Sequence, residues 1–369
     1  MSSKEKIQKL LSLVDIKING SRDWDIQVYN EKLYSRVLAG GALALGESYM
    51  DGWWDCKTID QFIYRTLRGD LKEKIIGIPL ILSTVKAKLL NLQTTSRSKE
   101  VGKKHYDIGN RLYKLMLDKE LNYSCACWKN AKNLDKAQEN KLDLICRKIG
   151  LKKGQSVLDI GCGWGSFAKH AARKYKAKVV GITISKEQVK LAKENCKGLP
   201  IEIRFQDYRD LNEKFDYVVS IGMFEHVGTK NYRNYMKIVK KCLKDDGLFL
   251  LHTIGKNKSS IGGDPWFNKY IFPNSLVPSA QQITKAAENI FVMEDWHNFG
   301  AYYDKTLMAW YNNFKKNWNK IKDCYDERFY RMWAFYLLSC AGAFRARHLQ
   351  LWQIVFSKNG YEGGYNSIR

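Results

Sequence analysis

The sequence predicts an α/β protein, a seven-stranded, doubly wound open sheet joined to a smaller, largely helical N-terminal domain. Three observations predict it. Beyond residue 105 short β-branched runs alternate with helical stretches, the pattern of parallel strands linked by crossover helices. The first of those runs leads straight into a glycine-rich turn, "VLDIGCGWG" at 157–165. Before residue 93 the periodicity is helical and no comparable strand run occurs.

Taken in order, Ile7, Leu10, Leu11 and Val14 follow the i, i+3, i+4, i+7 spacing of one helix face, with Gly20 as the expected stop. "SRVLAGGALALGESYMDGWWDC" then crowds glycines and aromatics together, which predicts tight turns in a compact module. "PLILSTVKAKLLNL" (79–92) reads as an amphipathic helix carrying Lys86 and Lys88. "QTTSRSKEVGKK" (93–104) is polar and aperiodic and marks a linker. The expected organisation is an N-terminal module over 1–92, a linker over 93–104 and a catalytic domain over 105–369. Strands are expected at 157–160, 179–183, 202–205, 217–220, 248–254, 291–296 and 351–356.

In a sheet of this kind a ligand lies at the carboxyl ends of the strands, near the point where strand order reverses. Gly161, Gly163 and Gly165 fall in that turn, where glycine lets the backbone approach a ligand closely. The spacing is G-x-G-x-G, not the G-x-G-x-x-G of a dinucleotide site, and Asp159 precedes it. A carboxylate there would repel a pyrophosphate but suits a ligand with an ammonium and a sulfonium, so S-adenosylmethionine is the predicted cofactor.

The motifs "VLDIGCGWG", "VVGITISKEQ", "QDYRDLNEKFD", "GMFEHVG", "LLHTIG", "DPWFNKYIFPN", "MEDWHNFGAYYDKTLMAWY" and "CAGAFRARHLQLWQIVFS", with "LGESYMDGWW", "GKKHYDIGN" and "YSCACW", resemble the cyclopropane-fatty-acyl-phospholipid synthases and mycolic acid cyclopropane synthases across nearly the whole chain. The resemblance implies an S-adenosylmethionine-dependent methyltransferase fold. It implies methyl transfer to a cis double bond of a phospholipid acyl chain, a carbocation that aromatic faces tolerate, and deprotonation that closes a cyclopropane ring. Bicarbonate is the proton acceptor the family implies. Glu225, His252 and Tyr303, with the backbone at Cys125 and Ile254, would hold it; Tyr302 stands beside Tyr303, and His226 adjoins Glu225. Cys340 matches a family cysteine named as an active-site residue, with plain burial on a helix as its other reading. Tyr123, Ser124, Asp159, Gly161, Gly163, Gly165, Thr183, Gln188, Gln206 and Asp207 would surround the cofactor. Thr183 stands where many methyltransferases have an acid for the ribose hydroxyls.

Sixty-two Lys and Arg against 38 Asp and Glu leave a formal charge of +24, which favours polyanionic partners. With the resemblance, the expected partner is an anionic phospholipid bilayer surface, and a homodimer is expected through the N-terminal module. Arg345 and Arg347 are candidate phosphate contacts. Nucleic acid is not expected, since no nucleic-acid-binding motif occurs. Nine scattered cysteines predict reduced thiols and no metal site. The charged N-terminus does not read as a signal peptide, and no run reaches the ~20 apolar residues of a membrane span. The expected location is therefore cytoplasmic, peripheral to the inner face of the membrane. Two further readings stay open: the same cofactor serving another lipid or RNA, and a non-catalytic basic protein that binds membranes.

Overall fold

The structure, a computed structural model, describes residues 1–71 and 109–369. It divides into two compact units, one of residues 1–90, 261–273 and 303–349, the other of 91–260, 274–302 and 350–369. The helical unit thus draws on two stretches far beyond residue 92. The helix predicted at 79–92 and the linker at 93–104 lie outside the described residues.

In the helical unit the first helix, Ser3–Ser12, opens on a capping box: Ser2 Oγ accepts the Glu5 N–H and the Glu5 carboxylate accepts the Ser2 N–H. It ends well short of the expected stop at Gly20. That glycine lies against Asp25, whose buried carboxylate accepts the backbone N–H groups of Lys17 (2.8 Å) and Arg22 (3.1 Å), and a Cβ at Gly20 would overlap it. The glycine and aromatic stretch expected to form tight turns is helical instead, within Lys32–Met50, with a kink at Gly41 (φ 56°). Burial overrides the low helix propensity of glycine: a Cβ on Gly46 would sit 2.5 Å from the Trp266 ring. Phe335 and Trp54 complete an aromatic core around Tyr49. Phe335 comes from the helix Glu327–Arg345, so this core needs the late segments, and sequence position alone does not bound the unit. Arg345 is not available as a phosphate contact. Its guanidinium pairs with Asp60 (2.5 Å) and Asp304 (2.9 Å). Arg347 is exposed.

The other unit holds the predicted seven-stranded sheet. Its strands are β1 (Ser156–Ile160), β2 (Lys178–Thr183), β3 (Ile201–Phe205), β4 (Phe215–Ile221), β5 (Leu243–Lys256), β6 (Val292–Asn298) and β7 (Leu349–Ser357). Their order is β3-β2-β1-β4-β5-β7-β6. The pairs β3/β2, β2/β1, β1/β4 and β4/β5 are parallel, and β6 runs antiparallel to β7. Each expected strand is present, β5 being much longer than 248–254. Alternate residues feed two cores: Leu158, Val218, Phe249 and Leu251 on one face, Val157, Val219, Leu248 and Leu250 on the other. Burial on both faces is why these strands read as unbroken apolar runs. Order reverses at β1, between β2 and β4, so the turns after β1 and β4 open at the same end of the sheet.

Candidate active site

The turn after β1 is built on left-handed backbone. Gly161 (φ 83°) and Gly163 (φ 55°) both occupy the region that side chains disfavour. The Gly161 and Cys162 N–H groups donate to the Ile182 carbonyl, each at 3.0 Å, which ties the turn to β2. A Cβ on Gly161 would meet Met223 at 2.7 Å, whereas one on Gly163 would meet nothing within 4 Å. Gly163 therefore borders open space, which is the cradle a ligand needs. Gly165 caps the helix Ser166–Tyr175 from the left-handed region.

Asp159, next to last in β1, is 1% exposed. Burial pushes its carboxyl up to about 7, with Lys141 pulling the other way, and its Oδ1 has no hydrogen-bond partner. After β2, Thr183 donates to Gln188 Oε1 at 2.7 Å, and both side chains are buried. A neutral pair closes the end of β2 where an acid would be expected. Asp207 caps its own turn by accepting the Arg209 N–H (3.0 Å), and Gln206 donates to the Asp210 carbonyl (3.2 Å).

The segment Asn122–Cys125 carries Tyr123, Ser124 and Cys125. Tyr123 packs edge-on against Tyr113 at 5.2 Å, and Tyr113 against Trp164 of the glycine turn at 5.0 Å. Cys125 is fully buried. Two residues outside the predicted set hold this segment. Gln138 Nε2 donates to the Ser124 carbonyl (2.9 Å), and Lys141 Nζ donates to Asn122 Oδ1 (2.9 Å) and Ser124 Oγ (3.2 Å).

Glu225 lies just beyond the end of β4, and His252 lies within the neighbouring strand β5. β4 ends at Ile221, which pairs with His252 of β5, and the Gly222 N–H donates to the His252 carbonyl at 2.9 Å. Glu225 follows in the short turn Phe224–His226, 6% exposed. Its Oε1 accepts the Ile254 N–H at 2.7 Å and its Oε2 has no hydrogen-bond partner. Burial raises its carboxyl to about 7, opposed by the backbone N–H groups of Ile254 and of Glu225 itself and by the Thr253 hydroxyl. His252 is 1% exposed, and burial holds its pKa well below the usual imidazole value, so it is neutral. Gln353 of β7, fully buried and also unpredicted, places its amide 3.2 Å from His252 Nδ1, and His252 Nε2 is without a partner. With the amide nitrogen toward Nδ1, that ring nitrogen accepts and the ring proton sits on Nε2, an orientation that leaves Gln353 Oε1 buried without a partner. A carboxyl raised to about 7, which still carries its proton in part at neutral pH, and a neutral imidazole are suited to holding a small anion.

Two predicted residues belong to the helical unit. Tyr303, 8% exposed, packs its ring on Phe344 at 4.5 Å. Cys340 lies on Glu327–Arg345, and burial pushes its thiol well above the ordinary range, so it is no thiolate nucleophile. Among the described residues no cluster of side chains could hold a metal ion, and no helix is long and apolar enough to cross a membrane.

Comparison with known proteins fits this geometry. Residues 93–354 match the family model described as mycolic acid cyclopropane synthetase. The chain is 54% identical over 362 residues to the cyclopropane-fatty-acyl-phospholipid synthase of Escherichia coli (strain K12), covering 98% of this chain and 94% of that one. It is 38% identical over 279 residues to a probable fatty acid methyltransferase of Pseudomonas putida, covering 72% and 70%. Among solved structures, the cyclopropane synthase MmaA2 from Mycobacterium tuberculosis superposes with a TM-score of 0.67 at 28% identity, covering 73% of this chain and all of that one. The mycolic acid cyclopropane synthase CmaA1, complexed with SAH and CTAB, gives 0.66 at 29% identity, covering 70% and 98%.

Proposed function

We propose a reaction from one premise: the chain belongs to the mycolic acid cyclopropane synthetase family and is an S-adenosylmethionine-dependent methyltransferase. In this reading it cyclopropanates the cis double bonds of unsaturated acyl chains in membrane phospholipids. The observation that carries the reading is the buried pair Glu225 and His252, each with a polar atom left open, beside a glycine turn with room at Gly163. When bound, S-adenosylmethionine supplies an electrophilic methyl group and bicarbonate a proton acceptor.

The chain's own residues would do the rest. The open cradle at Gly163, the Thr183 and Gln188 pair and the Tyr123–Ser124 segment would bind and orient the cofactor, with Asp159, Gln206 and Asp207 around it. Glu225, protonated at Oε2, and His252, donating from Nε2, would offer two hydrogen bonds to one anion without a competing negative charge. Such donors raise the anion's affinity for the site and, by stabilising its charge, lower its basicity in exchange for holding it in place. A carboxylate at Glu225 would repel the anion, so the upward shift of that carboxyl suits this role. Tyr303 and the backbone at Cys125 complete the set by likeness to the family motifs. The Ile254 N–H, which those motifs also point to, is here committed to Glu225. Cys340 would act through packing.

The excess positive charge would hold the enzyme at anionic bilayers, each lysine near the surface contributing ~1 kcal/mol. We further propose a cytoplasmic, peripheral location and a homodimer. The bicarbonate assignment is tested by turnover in buffer stripped of carbon dioxide. The rate should fall and return on adding bicarbonate; a rate that does not change contradicts it.

A further inference from the structure

The helix Leu134–Lys148 carries Gln138 and Lys141 one turn apart, and both side chains end on Asn122–Cys125. Lys141 is 1% exposed. Burying an ammonium is costly unless it is paired and fully hydrogen bonded. The acidic groups that face it are Asp118 in the turn before the segment, Asp159 at the end of β1 and Cys125 in the segment itself, and two imidazoles, His252 of β5 and His170 of the helix Ser166–Tyr175, also feel its charge.

The hydrogen-bond directions around it are all fixed. Asp118 accepts the Asn122 backbone N–H (2.7 Å) and its side-chain amide Nδ2 (2.8 Å). That orients the amide so that Asn122 Oδ1 accepts from Lys141 at 2.9 Å. An ammonium has donors only, so at 3.2 Å Ser124 Oγ must accept from it. The hydroxyl's own proton is then directed away from Lys141 and is a donor to something else.

We propose that Lys141 is a positioning residue that sets the Ser124 hydroxyl as a donor, aimed at an anionic group of the cofactor, the α-carboxylate at its amino-acid end. This rests on the reading above that Tyr123 and Ser124 meet the methionyl end of S-adenosylmethionine. Burial pulls the lysine down to about 8, so the arrangement holds at neutral pH and weakens above it. The uncharged amine gains a lone pair and can accept from Ser124 instead.

Binding of two ligands by calorimetry tests this. S-adenosylhomocysteine carries the amino-acid end; 5′-methylthioadenosine shares the adenosyl end and lacks it. Lys141→Met should weaken the first roughly ten- to a hundredfold and leave the second within about twofold. Ser124→Ala should do the same, and the double variant should lose no more than either single one. Equal loss for both ligands in Lys141→Met would make Lys141 merely structural and overturn the proposal. Loss in Ser124→Ala with none in Lys141→Met would also overturn it while the cofactor reading stands. No loss in Ser124→Ala would show that reading itself to be wrong at this segment. Should Lys141→Met fail to fold, the unsubstituted protein answers. Its preference for S-adenosylhomocysteine over 5′-methylthioadenosine should fall between pH 7 and 9 by more than in Ser124→Ala; identical profiles contradict the role.

Discussion

Glu225 Oε1 accepts the backbone N–H of Ile254 at 2.7 Å, while Oε2 of the same carboxyl is buried without a partner. The pairing pins the side chain across the ends of β4 and β5 and leaves one oxygen to work. The carboxyl's pKa is raised from 4.5 to about 7, so the folded protein holds this proton where the unfolded chain has released it. Folding stability from this group is then full below about 4.5 and is lost as pH rises toward 7. Glu225→Gln keeps the acceptor for Ile254 and never ionises. It should be more stable than the parent by about 2–3 kcal/mol at pH 8, converging with it near pH 4.5, and should lose most activity. Thermal melts across pH check the first outcome and turnover the second.

The Gln353 amide beside His252 Nδ1 fixes which ring nitrogen bears the proton. Nitrogen NMR of labelled protein should find His252 still neutral and protonated at Nε2 where an ordinary imidazole is already charged. Gln353→Leu frees Nδ1, so the other tautomer should appear in the spectrum. Turnover should fall roughly tenfold, the cost of one misdirected buried hydrogen bond.

The two glycines of the turn should separate under substitution. Gly163→Ala meets open space, so its cost in stability is the left-handed backbone, about 1 kcal/mol. It puts a methyl group in the cradle, so affinity for S-adenosylhomocysteine should drop more than tenfold. Gly161→Ala adds a collision with Met223 to the same strain and should lower the melting temperature further. Calorimetry and melts on both variants decide it.

Charge attraction to lipid is screened by salt. The protein should sediment with vesicles containing anionic phospholipid at low salt, release as salt rises, and ignore neutral vesicles. Binding to neutral vesicles that salt does not weaken would assign the contact to apolar side chains.

The central strands β1, β4 and β5 were legible because each carries an apolar run buried on both faces, a signal that needs no distant partner, whereas the outer strands β3 and β6 are partly exposed and read from their β-branched and aromatic residues. The glycine turn was legible because positive φ demands glycine. The helical unit was less so: Gly46 reads as a turn until the aromatic residues that cover it, Trp266 and Phe335, come from more than 200 positions later. Glu225 and His252 came from family motifs, and the pattern alone says only that they end strands. Lys141 and Gln353 were missed: Lys141 follows the polar stretch "QEN" and left no trace, whereas Gln353 left one, a polar residue inside the apolar run "LWQIVF". Such a residue signals a buried hydrogen bond but not its partner, which the fold supplies.

Transfer of a methylene group to an acyl double bond is the event on which the proposed reaction stands. Incubation of the protein with isotope-labelled S-adenosylmethionine and vesicles of monounsaturated phospholipid, followed by mass spectrometry of the released acyl chains, tests it directly. Labelled chains heavier by one CH₂ and no longer cleaved by ozone at the former double bond are the expected products. Unlabelled chains that ozone still cleaves, from a protein that binds S-adenosylhomocysteine, would contradict it.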